Sequence, residues 1–329
     1  MEGDVLLVVV IVFALGFDFT NGFHDTANAI ATSVSTRALR PRVAVLMAAV
    51  LNMAGAFVGQ SVAKTIYKGI VETSHGTQTV VLAALIGAIG WNLITWYWGI
   101  PSSSSHALIG GLVGAAIAAG GLSAVLWAGV IDKVVLPMVL SPLVAGLIAF
   151  AVMTGLLWIV RNRAPGPVNR TFRILQVFSA GSMAFTHGLN DAQKTMGIIT
   201  LALVSAGKYS GTSIPPWVIV AAATAMALGT YSGGWRIIHT LGSRVIKLDP
   251  IHGFAAEASA AVVILNTGLF GFPISTTHAI SAAIMGAGST QRLSAVRWGV
   301  AGDIATAWVF TLPAAGLIAA AAYELVSRL

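Results

Sequence analysis

The chain has 329 residues, of which 57% are hydrophobic and only 9% are charged. An ordinary soluble domain carries about 25% charged residues, so this composition excludes a water-soluble globular protein. Apolar stretches of about 20 residues, long enough to cross a hydrocarbon layer of roughly 30 Å, recur along the whole chain. The sequence therefore predicts a membrane protein.

Charge and cysteine content exclude further classes. The net charge is +7, but in a membrane protein basic residues set the topology, so we expect no nucleic-acid partner. The chain has no cysteine, which excludes disulfides and cysteine metal sites. Glu2 and Asp4, rather than basic residues, precede the first apolar stretch, so we expect no cleaved signal peptide.

Ten apolar segments are predicted along the chain. They are continuous and rich in Gly and Ala, without the alternation of barrel strands, so we expect helices. In chain order they are 4–33, 43–63, 79–99, 103–121, 134–160, 174–205, 216–238, 253–271, 274–290 and 296–326. The predicted fold class is all-α, a polytopic transmembrane bundle with interrupted helices.

A basic stretch divides the chain near its middle. Residues 161–173, with the sequence RNRAPGPVNRTFR, contain four arginines and no acid. We predict a cytoplasmic linker here, between a first transmembrane repeat at 1–160 and a second at 174–329. Alternating spans then put most basic residues inside, which predicts that both termini lie outside the plasma membrane.

Two polar motifs occur once in each half and in the same order. PSSSSHALIGGLVGA at 101–115 aligns without gaps to PISTTHAISAAIMGA at 273–287, and NGFHDTAN at 21–28 aligns to HGLNDAQK at 187–194. Each half has five segments, and an odd number makes the second copy enter from the opposite side. The sequence therefore predicts an inverted repeat, which is typical of alternating-access transporters.

The first paired motif places a carboxylate inside an apolar segment of each half. An isolated charge there costs at least about 2.5 to 3.5 kcal/mol, so Asp25 and Asp191 need a compensating partner. Asn28 follows Asp25 on the same helix face. With carbonyls freed at Gly22 or Gly188, this set would suit Na⁺ or a proton. The alternative is a helix-breaking turn capped by the aspartate.

The second copy of this motif is not equivalent to the first. Lys194 follows Asp191 by three residues, so its ammonium group could neutralise the carboxylate and leave no vacancy for a metal ion. Asn190 and Gln193 could add neutral ligands. Glu257, near the start of the eighth segment, is a third candidate for cation binding or proton relay.

The second paired motif collects hydroxyl groups after a proline. The hydroxyl residues are Ser102, Ser103, Ser104 and Ser105 in the first half and Ser275, Thr276 and Thr277 in the second. The first turn of a helix presents free N–H groups and a positive dipole end, which suits a tetrahedral oxyanion. One copy would indicate ordinary capping after a proline kink, whereas two inverted copies favour a shared anion site.

Enzymatic function is not expected from these motifs. His106 and His278 follow the hydroxyl runs, but no G-x-S-x-G elbow surrounds the serines, and the chain has no nucleotide-binding P-loop. We therefore predict no enzyme and no cofactor. A permease for sulfate or another oxyanion, and a membrane phosphatase, remain the alternatives.

The paired motifs resemble those of the PiT inorganic phosphate transporters, which are phosphate:cation symporters. The similar stretches are NGFHDTANAIATSVSTRAL at 21–39, PSSSSHALIGG at 101–111, HGLNDAQKTMGIITLAL at 187–203 and EASAAVVILNTGLFGFPISTTHAISAAIMG at 257–286. The resemblance implies phosphate as substrate, Na⁺ or H⁺ as coupling ion and a site between the repeats. Small-residue faces leave a homo-oligomer possible.

Carried over by position, the resemblance covers Asp25, Asn28, Asp191, Glu257 and the two hydroxyl runs. With Lys194, Gln193 and Asn190 added from the second copy of the motif itself, the candidate residues form two groups. The phosphate group is Ser102, Ser103, Ser104, Ser105, Ser275, Thr276, Thr277, Lys194 and Gln193. The cation group is Asp25, Asn28, Asp191, Asn190 and Glu257. The chain departs from the family pattern at Lys194, where many members have a second Asn, and in the short stretch between its halves.

Overall fold

The structure is a computed structural model that describes residues 2–72 and 74–328. The helices of the first half are α1 (Glu2–Ser35), α2 (Pro41–Ala56), α3 (Ser61–Gly69), α4 (Gln78–Trp98), α5 (Ser104–Gly120) and α6 (Trp127–Val130), which continues through a π-helical turn (Ile131–Val135) into α7 (Leu136–Val160). Those of the second half are α8 (Pro165–Ser205), α9 (Pro216–Ser232), α10 (Trp235–His239) with a π-helical turn (Thr240–Arg244), α11 (Pro250–Leu269), α12 (Thr276–Ser289) and α13 (Trp298–Val326). Within the described ranges the fold is all-α, as predicted, apart from one isolated bridge.

Several of the predicted apolar segments are not single spanning helices in the structure. In the described part of the chain, four helices are long and apolar enough to span a membrane: Asp4–Ser35, Gln78–Trp98, Trp127–Val160 and Trp298–Val326. The number rises to six if α2 with α3, bent by 67°, and α9 with α10 and its π turn, bent by 60°, each form one span. The helices α5 and α12 have only 17 and 14 residues, so they are shorter than a typical spanning helix.

The predicted linker at 161–173 is mostly helical. Only 161–164 lies between α7 and α8, because α8 begins at Pro165 and runs for 41 residues. A proline in the first turn of a helix loses no hydrogen bond, since its missing N–H would have had no partner there. The two prolines that suggested a loop therefore mark a helix start.

The expected helix breaks at Gly22 and Gly188 are absent, because α1 and α8 run unbroken through both positions. The glycines instead allow close helix crossings. A Cβ at Gly22 would collide with the α9 backbone at Met226, and one at Gly188 would collide with the α2 backbone at Asn52. Each half thus places its motif helix directly against a helix of the other half.

The two repeats interlock and enclose a polar layer. Besides the crossings of α1 with α9 and of α2 with α8, the helix α5 packs on α13, and α12 packs on α7. One apolar core contains the N-terminal part of α1 with α4 and α5, and the other contains α11, α12 and α7. The middle parts of α1 and α8, which carry the paired aspartates, lie between these cores.

We predict that Gly22→Ala lowers the melting temperature of the purified protein. The added methyl group meets backbone rather than a flexible side chain, and overpacking of this kind costs typically about 1 to 3 kcal/mol. The matched control is Gly16→Ala in the same helix, where a Cβ meets no atom within 4 Å. Equal melting temperatures for the two variants would contradict the role assigned to the crossing.

Candidate functional site

Two helix starts meet in the interior. The helices α4 and α5 form one hairpin and α11 and α12 form another, and residues 101–103 and 273–275, directly before the second helix of each hairpin, are buried. Ser103 caps α5 by accepting a 3.1 Å hydrogen bond from the His106 N–H, and Ser275 caps α12 in the same way through the His278 N–H. The His106 and His278 rings lie 4.8 Å apart between centroids. The inverted repeat therefore brings two positive helix ends to one place.

Four backbone N–H groups at these helix starts are unused. They belong to Ser104, Ser105, Thr276 and Thr277, and no hydrogen bond found among the described residues has one of them as donor. All four residues are at most 2% exposed. Buried free N–H groups at a helix start favour a negatively charged ligand without any arginine. Ser103 and Ser275, by contrast, use their hydroxyls for capping.

The carboxylate of Asp25 lies beside the first of these helix starts. Its Oδ1 is 2.6 Å from His24 Nδ1 and accepts a long, 3.4 Å hydrogen bond from the Ser104 hydroxyl. One turn further along α1, Asn28 Nδ2 donates to Thr277 Oγ1 at 2.9 Å and to Thr276 Oγ1 at 3.3 Å. The Asn28 Oδ1 atom is buried without a hydrogen-bond partner in the described structure. The polar motif at 21–28, which we call the first cation motif, thus contacts both hairpins.

The second aspartate forms a buried ion pair. Lys194 Nζ lies 2.7 Å from Asp191 Oδ1, donates to the Ser105 hydroxyl and donates to the Ile274 carbonyl at 3.1 Å. Lys194 is 1% exposed and Asp191 is fully buried. The ammonium group therefore joins its own helix to both hairpin tips, and the predicted neutralisation of the carboxylate matches the geometry.

His187 lies between the two aspartates. Its Nε2 is 3.9 Å from Asp25 Oδ2 and 3.6 Å from Asp191 Oδ2, and its Nδ1 is 3.0 Å from Asn52 Oδ1. If Nδ1 donates to this amide oxygen, a neutral ring turns its Nε2 lone pair toward two carboxylates. That contact needs a positive charge, either a proton on the ring or a bound cation. One ligand atom from each of Asp25, His187 and Asp191 could indeed contact a single ion, since all three lie within 4.8 Å of one another.

Two predicted ligands make other contacts. Gln193 Oε1 accepts hydrogen bonds from the Val62 and Ala63 N–H groups at the start of α3, at 2.9 and 3.3 Å. The structure does not bring Gln193 to the hydroxyls with which it was grouped, because its amide caps a neighbouring helix. Asn190 Nδ2 donates to the Phe272 carbonyl at 3.3 Å beside the second hairpin tip.

Glu257 has a separate polar environment. Its carboxylate accepts hydrogen bonds from the Thr32 and Ser179 hydroxyls and a long one, 3.4 Å, from Gln176. Thr32 lies seven residues beyond Asp25, which corresponds to about 10 Å along α1. Glu257 is fully buried but is not a direct neighbour of the central carboxylates. Its role as a third cation or proton site remains a prediction.

Ser102 is linked to the same layer through one further threonine. Its hydroxyl lies 2.8 Å from Thr95 Oγ1 and 3.4 Å from His24 Nε2. The His24 ring therefore joins the first hairpin to Asp25. Thr95 and His24 were not among the assigned site residues.

Asp18 is a third residue that lies outside the sequence-based assignment. It is fully buried, and neither carboxylate oxygen has a hydrogen-bond partner among the described residues; the same holds for the amide of Asn21. A signal was present in the sequence, because positions 18, 21, 25 and 28 have helical spacing and share one face of α1. This polar stripe faces the bundle interior.

Comparison with known proteins agrees with this geometry. The sequence model of the phosphate transporter family matches residues 21–169 and again 161–319, once in each half. A probable low-affinity inorganic phosphate transporter of Mycobacterium tuberculosis (strain ATCC 25618 / H37Rv) is 53% identical over 324 residues, covering 98% of this chain and 78% of the relative. One of Bacillus subtilis (strain 168) is 47% identical over 328 residues, covering 99% and 98%.

A solved structure has the same architecture. It is described as the sodium-dependent phosphate transporter, and it matches with a TM-score of 0.89 and 26% identity over 99% of this chain and 100% of that one. The resemblance predicted from the paired motifs is confirmed by these matches. The chain belongs to the phosphate transporter family.

Proposed function

We propose that this protein is a secondary active symporter that carries inorganic phosphate across the plasma membrane together with Na⁺ or H⁺. The observation that carries the proposal is the meeting of two helix starts, with four free N–H groups, beside the buried carboxylates of Asp25 and Asp191. The relatives named as phosphate transporters support the substrate. The similar sodium-dependent structure supports Na⁺ as the coupling ion.

Charge balance supports coupling to a cation. Phosphate carries one to two negative charges at neutral pH, and an unpaired charge moved into a low-dielectric interior costs several kcal/mol. Lys194 already pairs with Asp191 at 2.7 Å, whereas the partners of Asp25 among the described residues are imidazole and hydroxyl groups. A phosphate ion entering this layer therefore needs an accompanying cation or proton.

Burial of the site supports alternating access. Asp25, Asn28, Lys194 and the hydroxyls at the helix starts are at most 2% exposed, so the layer is closed to water on both sides. Binding and release then require a rearrangement. Rocking of one repeat against the other around the shared site would open it to each side in turn.

The topology we propose has both termini on the extracytoplasmic side. The connection between α7 and α8 lies in the arginine-rich stretch at 161–173, and the positive-inside rule favours the cytoplasm for it. The hairpins α4–α5 and α11–α12 would then enter the membrane from opposite sides, each with its tip in the middle.

Radiolabelled phosphate uptake into liposomes tests the proposed function. The purified protein is given an inward Na⁺ gradient, or a proton gradient without Na⁺, each with and without excess sulfate. We expect accumulation against the phosphate gradient under at least one driving ion and little competition by sulfate. No uptake under either gradient would contradict the proposal, and full competition by sulfate would favour a general oxyanion permease.

Removing either central carboxylate should abolish concentrative uptake. Both substitutions keep the side-chain shape: Asp25→Asn takes away the charge that a coupling cation or proton needs, and Asp191→Asn leaves the buried ammonium group of Lys194 without its carboxylate partner. The matched control is Asp303→Asn, which changes an exposed acid of α13. Size-exclusion profiles verify that each variant is folded, and full accumulation by both central variants would contradict the assignment.

Removing a hydroxyl at either helix start should weaken phosphate binding. A hydrogen bond to a charged group contributes about 1.5 to 3 kcal/mol, so Ser104→Ala or Thr277→Ala should raise the KM for phosphate roughly tenfold or more. Thr224→Ala, an exposed threonine that bonds only to its own helix, is the control. An unchanged concentration dependence would remove these hydroxyls from the anion site.

A further inference from the structure

The two cation motifs occupy matching positions in the pseudo-symmetric structure. The sequence alignment of the halves pairs Asn28 with Lys194 and Thr277 with Ser105. The contacts follow the same pairing, because Asn28 donates to the Thr277 hydroxyl at 2.9 Å and Lys194 donates to the Ser105 hydroxyl. The ammonium group of Lys194 therefore stands at the point where the first half has a neutral amide.

In the part of the chain that the structure describes, the hydrogen-bond partners of the Lys194 ammonium group are all oxygen atoms. They are a carboxylate oxygen of Asp191 at 2.7 Å, the hydroxyl of Ser105 and the carbonyl of Ile274 at 3.1 Å. Carboxylate, hydroxyl and carbonyl oxygens are also the ligands of hard cations in proteins. An ammonium group has three donors, and this set uses all three. Lys194 thus has no donor left for phosphate.

The first half has no such internal cation. Asp25 lies next to imidazole nitrogens and a distant hydroxyl, and no lysine or arginine forms an ion pair with it among the described residues. The Asn28 Oδ1 atom, one turn further along α1, is buried and has no hydrogen-bond partner among the described residues. A carboxylate and a free amide oxygen therefore remain for a cation that can leave.

We propose that Lys194 is a tethered cation that permanently fills the second of two pseudo-equivalent cation sites. Only the site at Asp25 and Asn28 then exchanges its ion, so each phosphate moves with one cation fewer than a symmetric pair of sites would bind. The part of this inference that concerns transport rests on the proposed function. Its binding test does not require transport.

Equilibrium binding of ²²Na⁺ to the purified full-length protein, with phosphate present, tests this proposal. Lys194→Asn recreates the motif of the first half, and we expect it to bind one more Na⁺ per chain than the wild type. Lys194→Met removes the charge without adding an oxygen ligand and should gain no Na⁺. Lys208→Asn, which changes an exposed lysine paired with Asp4, should bind as the wild type does.

A second readout covers the case of a poorly folding variant. Without an ammonium group Asp191 is a buried, unpaired charge, so the melting temperature of Lys194→Asn should rise more steeply with Na⁺ than that of the wild type, relative to choline at equal ionic strength. Equal Na⁺ binding by Lys194→Asn and wild type would overturn the proposal. So would failure of this variant to fold in Na⁺, since Na⁺ must be able to replace the ammonium group.

A transport assay then measures the number of cations that move with each phosphate. Phosphate uptake into liposomes is measured as a function of the Na⁺ concentration for both proteins. We expect Lys194→Asn to move one more Na⁺ with each phosphate than the wild type does, so that its uptake depends more steeply on Na⁺. An unchanged dependence, with the variant active, would contradict the role of Lys194 in stoichiometry. If the wild type moves no phosphate at all, the proposed function fails, while the ²²Na⁺ binding comparison still decides whether Lys194 fills a cation site.

Discussion

The burial of carboxylates in the middle of a lipid-spanning bundle is the constraint on which the rest of the structure depends. Asp25 and Asp191 lie between two apolar cores and are almost completely shielded from water. Neither can stay charged there alone, because an unpaired ion in hydrocarbon is too costly. Among the described residues, Asp191 is paired with Lys194, whereas the partners of Asp25 are imidazole and hydroxyl groups.

Two features of the backbone make this polar layer possible. The helices α1 and α8 stay continuous through their motifs and cross helices of the other half at glycines, which leaves no room for a side chain. The hairpins then bring two helix starts to the same depth, where unpaired N–H groups are normal for a first turn. The anion groups and the cation groups consequently share contacts, as in the bonds from Asn28 to Thr277 and from Lys194 to Ser105.

The duplication preserved this geometry while the chemistry of the halves diverged. Asn28 corresponds to Lys194, and Asp18, which has no acidic counterpart in the second half, adds a buried carboxylate to α1. Glu257 lies in the second half and accepts hydrogen bonds from Ser179 of the same half and from Thr32 of the first half. The pseudo-symmetric scaffold thus holds two half-sites with different charges.

The sequence alone determined the membrane environment, the all-α class, the family and the two paired motifs, because hydropathy, spacing and internal repetition are local properties. It also predicted Asp25, Asn28 and the hydroxyls at the helix starts as site residues, and the structure brings these side chains into contact. Only the tertiary structure decided that Gln193 caps α3, that Glu257 contacts Thr32, about two turns along α1 from Asp25, and that the prolines at 161–173 begin a helix. These facts depend on contacts between residues far apart in the chain, and the spacing of residues along one helix does not show which neighbour its side chains meet.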